Sequence, residues 1–295
     1  MSQETAVRAV DTLRGSWPVL VAAQERLHDV REKAHRNYDG GDAGHQWDHG
    51  LVVRHAVNYA VAVEVARIVT ASGPLVDVGA GAGGFSVWAA QALGRPLVIV
   101  DQDEGHRRLA QKAFADAEVH ASVGPLDAAP VVLCMEVIEH VDRAEQPAFV
   151  REIGALVRPG GVLVLSTPDE SGYWGGWSGY PPHIGTLDAA SLTRILEQEL
   201  PGWTVDVLRV SGPGFELTTF GRYGVPLANR VWGSLDSRVP RVTHELSHLV
   251  SKVGKNRPGP DEPDPSAYTI APAVDGAGTG LVARAHRPAA GRGAF

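Results

Sequence analysis

The chain is poor in cysteine and lysine and has no long apolar run. A single cysteine, Cys134, in 295 residues excludes an internal disulfide framework and a multi-cysteine zinc site. Lysine occurs 4 times against 23 arginines, and acidic residues exceed basic ones by 34 to 27, a formal charge of −7. A protein that coats nucleic acid needs a basic excess, so this balance argues against that class. No stretch of 18 apolar residues occurs, so no membrane-spanning helix is expected. The N-terminal MSQETAVRAVDTLRG lacks the basic-then-apolar pattern of a secretory signal, and the chain reads as cytoplasmic. Internal repeats and low-complexity tracts are also missing.

What is present suits a loop-rich globular enzyme. Apolar residues make up 44%, enough for a substantial core, and glycine plus proline reach 54 residues. Residues 1–73 read as a helical N-terminal cap. Apolar residues recur at helical spacing over Trp17–Leu27 and Leu51–Val69, with a polar loop over His35–Gly50. From Pro74 the pattern changes to short β-rich runs alternating with helical segments. Strands are expected at Leu75–Val78, Pro96–Val100, Glu118–Val123, Val131–Met135 and Val162–Ser166, with helices at Phe85–Leu93 and Glu104–Ala115. Such alternation implies a parallel sheet buried on both faces, an α/β fold. A helix at Leu187–Leu200 and a strand at Trp203–Val210 complete a core of residues 74–212. Residues 213–267 read as an insertion, with a helix at Val242–Val253 and a proline-rich linker at Arg257–Pro265. Residues 268–295 carry the last strand, Leu281–Ala285, and a tail.

The strongest local signal is Leu75–Ser86, LVDVGAGAGGFS, a buried strand entering a glycine turn and then a helix. Glycines let the backbone approach a ligand, and the helix N-terminus offers free N–H groups. Gly79, Gly81 and Gly84 satisfy the dinucleotide pattern G-x-G-x-x-G. Gly79, Gly81 and Gly83, with Asp77 two residues ahead, fit the acidic G-x-G-x-G pattern of S-adenosylmethionine enzymes. Asp101 ends the second strand 22 residues after Gly79, where a carboxylate can hold ribose hydroxyls in either class.

Two further motifs choose between them: Met135–Val141, MEVIEHV, after the fourth strand, and Leu156–Pro168, LVRPGGVLVLSTP, through a Pro-Gly-Gly turn into the fifth. With these, residues 73–212 resemble the class I S-adenosylmethionine-dependent methyltransferases. The resemblance implies a Rossmann-like, seven-stranded, mostly parallel sheet with a reversed last strand and helices on both faces. It implies S-adenosyl-L-methionine as cofactor. Asp77, Gly79, Gly81 and Gly83 would then face the methionine moiety, Asp101 the ribose and Gln102 the adenine.

If a helix begins near Glu136, then Glu136, Glu139 and His140 share one face at the carboxyl end of a central strand. Two carboxylates and an imidazole suit a divalent cation, Mg²⁺ or one of the softer ions toward which imidazole tilts. His183, in Pro181–Gly185, could supply a further ligand. The arrangement resembles the ubiquinone-pathway O-methyltransferases and the small-RNA 3′-terminal 2′-O-methyltransferases, which carry Glu-x-x-Glu-His and a later His. That resemblance implies Glu136, Glu139, His140 and His183 as metal ligands. The plainer alternative makes His140 or His183 a general base, and a third makes the segment structural.

Tyr173, Trp174, Trp177 and Tyr180 fall among five glycines in Asp169–Gly185, either as a mobile wall around a flat substrate or packed on the insertion. The insertion itself serves as a lid or as a homodimer contact. His35, His45, His49 and His55, with Trp47 and Asp48, read as a substrate-covering or structural segment, with direct catalytic contact as the alternative. Cys134 reads as a small core residue. The leading expectation is O-methylation of a small-molecule hydroxyl. The alternatives are an RNA-terminal 2′-O-methyltransferase, which the absence of a dense basic run disfavours, a nicotinamide-dependent oxidoreductase, and a non-catalytic S-adenosylmethionine-binding protein.

Overall fold

The structure, a computed structural model, describes residues 3–35, 49–235, 264–274 and 278–290. Three helices lead the chain: α1 (Gln3–Gly15), α2 (Trp17–His35) and α3 (His49–Ala66). Strands and helices then alternate: β1 (Leu75–Val78), α4 (Gly84–Leu93), β2 (Leu97–Val100), α5 (Glu104–Ala113), β3 (Glu118–His120), β4 (Ala129–Met135), α6 (Gln146–Ala155) and β5 (Val157–Pro168). There follow α7 (Ala189–Glu199), β6 (Thr204–Ser211), α8 (Thr219–Leu235), β7 (Thr269–Pro272) and β8 (Gly280–His286).

The strands form one sheet in the order β3-β2-β1-β4-β5-β8-β6-β7. β1 to β5 are parallel, and β8 runs antiparallel between β5 and β6. The α/β class and the reversed last strand are as expected, but the count is eight rather than seven. The addition is β7, an edge strand antiparallel to β6. Only Ile270 of its four residues is buried, too short a pattern for alternation to announce it. α8 was not foreseen either, because Gly221, Gly224, Pro226 and Gly233 interrupt its apolar run. The expected loop over His35–Gly50, with His45, Trp47 and Asp48, and the helix expected at Val242–Val253 lie almost wholly outside the described residues.

Strand alternation builds two cores, one on each face of the sheet. Leu75, Leu97, Ile99, Val131, Leu133, Val162 and Val164 pack under α1, α3 and α4. Val76, Val98, Val100, Val132, Cys134, Leu163 and Leu165 pack under α6 and α7. Every residue of β1, β2 and β4 is buried, which is why these strands read as continuous apolar runs. Carrying the alternation to the strand ends places Asp77 and Ser166 on the α3 face and Thr167 on the α6/α7 face. That parity organises the site.

Candidate active site

On the α3 face, Asp77 occupies a core position and is fully buried. A buried carboxyl needs partners. Its Oδ2 accepts hydrogen bonds from the Tyr59 hydroxyl (2.8 Å) and the Ser86 hydroxyl (2.6 Å). Its Oδ1 is buried with no hydrogen-bond partner among the described residues. Burial pushes the Asp77 carboxyl up to about 6, against the bonds from Ser86 and Tyr59.

The glycine turn between β1 and α4 holds Gly79, Gly81 and Gly83 at φ +75°, +57° and +82°, a left-handed run that favours glycine. A Cβ on Gly79 would stand 2.4 Å from Val137 Cγ2, and one on Gly83 2.4 Å from Ile99 Cδ1. Asp101, at the end of β2, ties that turn in place: its Oδ2 accepts from the Gly81 N–H at 2.8 Å. Its Oδ1 accepts from the Asp103 N–H at 2.9 Å and lies 3.3 Å from His106 Nδ1. Burial alone would raise the Asp101 carboxyl, but these bonds hold it below the usual range. Three of its roughly four acceptor sites are therefore filled by protein groups. Gln102 beside it is exposed.

Glu136 does not begin a helix. It stands at φ +57° at the end of β4, and only a single 3-10 turn, Ile138–His140, follows. The expected i, i+3, i+4 face is therefore not formed, and Glu136 turns toward α3 while Glu139 turns the other way. Glu136 Oε2 pairs with Arg54 at 3.0 Å, and Oε1 accepts from Asn58 (3.1 Å) and Ser166 (2.8 Å). Burial opposes ionisation of Glu136, but the charges of Arg54 and His55 and the Ser166 bond hold its pKa low. Arg54 Nε and Asn58 Oδ1 remain buried without a partner among the described residues.

On the other face, ligand atoms of Glu139, His140 and His183 lie within 4.8 Å of one another. Glu139 is buried, and its Oε2 accepts from the Thr167 hydroxyl at 3.0 Å. Burial, then the nearby Glu136, pushes its carboxyl well above the usual range. His140 Nδ1 lies 3.0 Å from the Pro182 carbonyl, which can only accept, so Nδ1 carries the proton. Burial and His183 hold the His140 imidazole below its ordinary pKa, leaving it neutral with its lone pair on Nε2. His183 packs edge-on against His140 (ring centroids 5.0 Å) and Tyr180 (4.9 Å). The segment carrying His183 is stitched to the 3-10 turn by Gly185 N–H to the Glu139 carbonyl (2.9 Å).

Of the four residues expected as metal ligands, the structure thus gathers Glu139, His140 and His183 and sets Glu136 apart. The aromatic loop packs on α8: Tyr173 is buried, Trp174 lies under Arg230 (5.0 Å), and Asn229 Nδ2 donates to the Ser178 carbonyl at 2.9 Å. Arg54, Asn58 and Tyr59 were missed by sequence reasoning, although Arg54 and Asn58 at i, i+4 between apolar residues of α3 are a legible signal. Ser86 and Glu170 carried no such mark. Cys134 is buried in β4, as expected.

Comparison with known proteins bears on this geometry. The family model for the methyltransferase domain matches residues 53–200, half of the chain. The chain belongs to that family. It is a class I S-adenosylmethionine-dependent methyltransferase by fold and motif. It is 37% identical over 102 residues to a ubiquinone biosynthesis O-methyltransferase of Methylobacterium nodulans. It is 36% identical over 97 residues to a probable S-adenosylmethionine-dependent methyltransferase of Mycolicibacterium smegmatis. Each match takes in 32% of this methyltransferase and, respectively, 40% and 33% of the relative. A solved S-adenosylmethionine-dependent methyltransferase from Archaeoglobus fulgidus is similar over 81% of this chain and 92% of its own, at 13% identity and a TM-score of 0.44. No helix among the described residues of the methyltransferase is long and apolar enough to cross a membrane.

Proposed function

We propose that this methyltransferase transfers the methyl group of S-adenosylmethionine to a hydroxyl of a small molecule, with a divalent cation held by Glu139, His140 and His183. The convergence of one carboxyl and two imidazoles within 4.8 Å carries this reading. The match to a ubiquinone O-methyltransferase over part of its length supports it.

The donor fits the α3 face. The unpartnered Asp77 Oδ1 and Asn58 Oδ1 accept, and Arg54 Nε donates, which complements the ammonium and carboxylate of an amino-acid zwitterion. The remaining acceptor site of Asp101 takes a ribose hydroxyl, with Gln102 toward the adenine. The cation fits the cluster just past the carboxyl end of β4, where Val137 meets the glycine turn. Oxygen and imidazole donors together suit Mn²⁺ or a similar ion, and each histidine offers one ring nitrogen to the cluster. When bound, the cation lowers the pKa of the acceptor hydroxyl and orients it. Glu139 loses its proton to hold that charge, and the packed rings of His140 and His183 fix the direction of approach. The acceptor oxygen, its proton released to solvent, would then bond to the methyl carbon as the carbon–sulfur bond breaks toward sulfur, with alignment supplying most of the rate.

A second reading rests on the neutral His140. With no cation, its Nε2 lone pair takes the hydroxyl proton directly. Calorimetry separates the two. Wild-type protein is expected to bind Mn²⁺ and Glu139→Gln to lose at least tenfold in affinity, while S-adenosylhomocysteine at 100 times its Kd stabilises both by about 2.7 kcal/mol. Undiminished methyl transfer by wild type in chelator would defeat the cation. Stabilisation by NAD and not by S-adenosylhomocysteine would defeat the donor site.

A further inference from the structure

His183 is held from behind. Its Nδ1 lies 2.8 Å from Oε1 of Glu170, a residue just past the end of β5 that is 3% exposed. The other carboxylate oxygen, Oε2, accepts the backbone N–H of Ser178 at 3.0 Å. Ser178 is in turn fastened to the insertion, its carbonyl taking the Asn229 amide of α8 at 2.9 Å. A chain of hydrogen bonds therefore runs from α8 through Ser178 and Glu170 to the imidazole. With both oxygens of the carboxylate placed as acceptors, Oε2 toward the Ser178 N–H and Oε1 toward the imidazole, His183 Nδ1 is the donor, and in the neutral ring the lone pair is left on Nε2.

We infer that Glu170 is a positioning residue that sets the tautomer of His183, keeping the proton on Nδ1 so that the Nε2 lone pair faces Glu139 and His140. This rests on the reading of that cluster as the reacting site, and it serves either a cation or a proton there. It also ties the insertion to the chemistry, because α8 aims the second imidazole through a loop that it does not otherwise share with the sheet.

The Ser178 N–H makes the inference sharp. In Glu170→Gln the amide must still offer an acceptor to that N–H, so its oxygen turns toward Ser178 and its NH₂ toward His183. Nδ1 is then forced to accept, the proton moves to Nε2, and the lone pair leaves the cluster. A purely structural contact would not invert a tautomer.

The test is the tautomer of His183 in ¹⁵N-histidine-labelled, metal-free full-length protein, read by long-range ¹H–¹⁵N correlation at neutral pH. The expected result is Nδ1–H in wild type and Nε2–H in Glu170→Gln, with His140 unchanged in both. Mn²⁺ affinity measured alongside by calorimetry should fall about 10–100-fold in the variant, while S-adenosylhomocysteine binding stays within about twofold. An Nε2–H wild type overturns the inference without any variant, and so does an Nδ1–H Glu170→Gln. If wild type takes up no Mn²⁺, the cation reading falls by itself and the two tautomers still decide the role of Glu170.

Discussion

At the scale of single residues, three buried carboxyls divide the labour by what surrounds them. Asp77 is pushed up to about 6 because burial outweighs two hydroxyl donors. Its folded pKa lies above its unfolded one, so its contribution to stability is fully present below about pH 4 and is lost as pH rises through about 6. The span of roughly two units corresponds to about 3 kcal/mol. Asp77→Asn keeps an acceptor for Tyr59 and Ser86 and removes the titration. Its stability relative to wild type is expected to improve steadily from pH 4 to 7, as followed by thermal melts, and a pH-independent difference would count against a buried, titrating Asp77. Glu136 is the opposite case, ionised against Arg54, with the two side chains only 10% and 7% exposed. Glu136→Gln strands the guanidinium, and denaturant unfolding should show a loss of about 3–5 kcal/mol. Calorimetry should find Mn²⁺ binding unchanged in any Glu136→Gln protein that folds, whereas Glu139→Gln loses it. The motif told that both acids matter. It did not tell that they part company, because a left-handed φ at a glutamate is not written in a Glu-x-x-Glu-His spacing.

At the scale of elements, the central strands and their helices were legible because continuous apolar runs and glycine turns are local properties. The ends of the strands were less so. The backbone of Val157–Pro168 extends well past the apolar run of Val162–Ser166, and the 3-10 turn after β4 replaced an expected helix. What holds that turn is non-local: Gln146 Nε2 donates to the carbonyls of Ile138 (2.9 Å) and Gly185 (2.5 Å), and Gly185 N–H to that of Glu139. Gly185 is the tight point, since a Cβ there would lie 1.9 Å from the Val141 carbonyl oxygen. Backbone cannot yield as a side chain can. Gly185→Ala is expected to lower the melting temperature by several degrees and to cost Mn²⁺ affinity by pulling His183 away from His140. A variant that melts like wild type with wild-type Mn²⁺ binding would show that the stitch is slack.

For the molecule as a whole, the two cores share one sheet, and β4 is its buried centre. Leu133 is fully buried among residues from α3, β1 and β5. Leu133→Ala should destabilise the protein by about 2–5 kcal/mol in urea unfolding. The N-terminal helices contribute to that core rather than sitting apart from it: Trp88 of α4 donates to the Ser16 hydroxyl at 2.6 Å, and Thr12 to Glu64 at 2.9 Å. Sequence composition marked residues 1–73 as different in kind, but composition does not report which surfaces meet.

The parity of β5 has an outcome for how such a protein can change. Ser166 and Thr167 are neighbours in the chain, yet one braces the acid that answers to α3 and the other the acid that faces the histidines. Inserting or deleting one residue before them would exchange their sides and disable both halves together. Substitutions that respect the count meet no such coupling. The loop, α7 and α8 can be rewritten while the contacts of Asp77 and Glu136 with α3 are inherited intact.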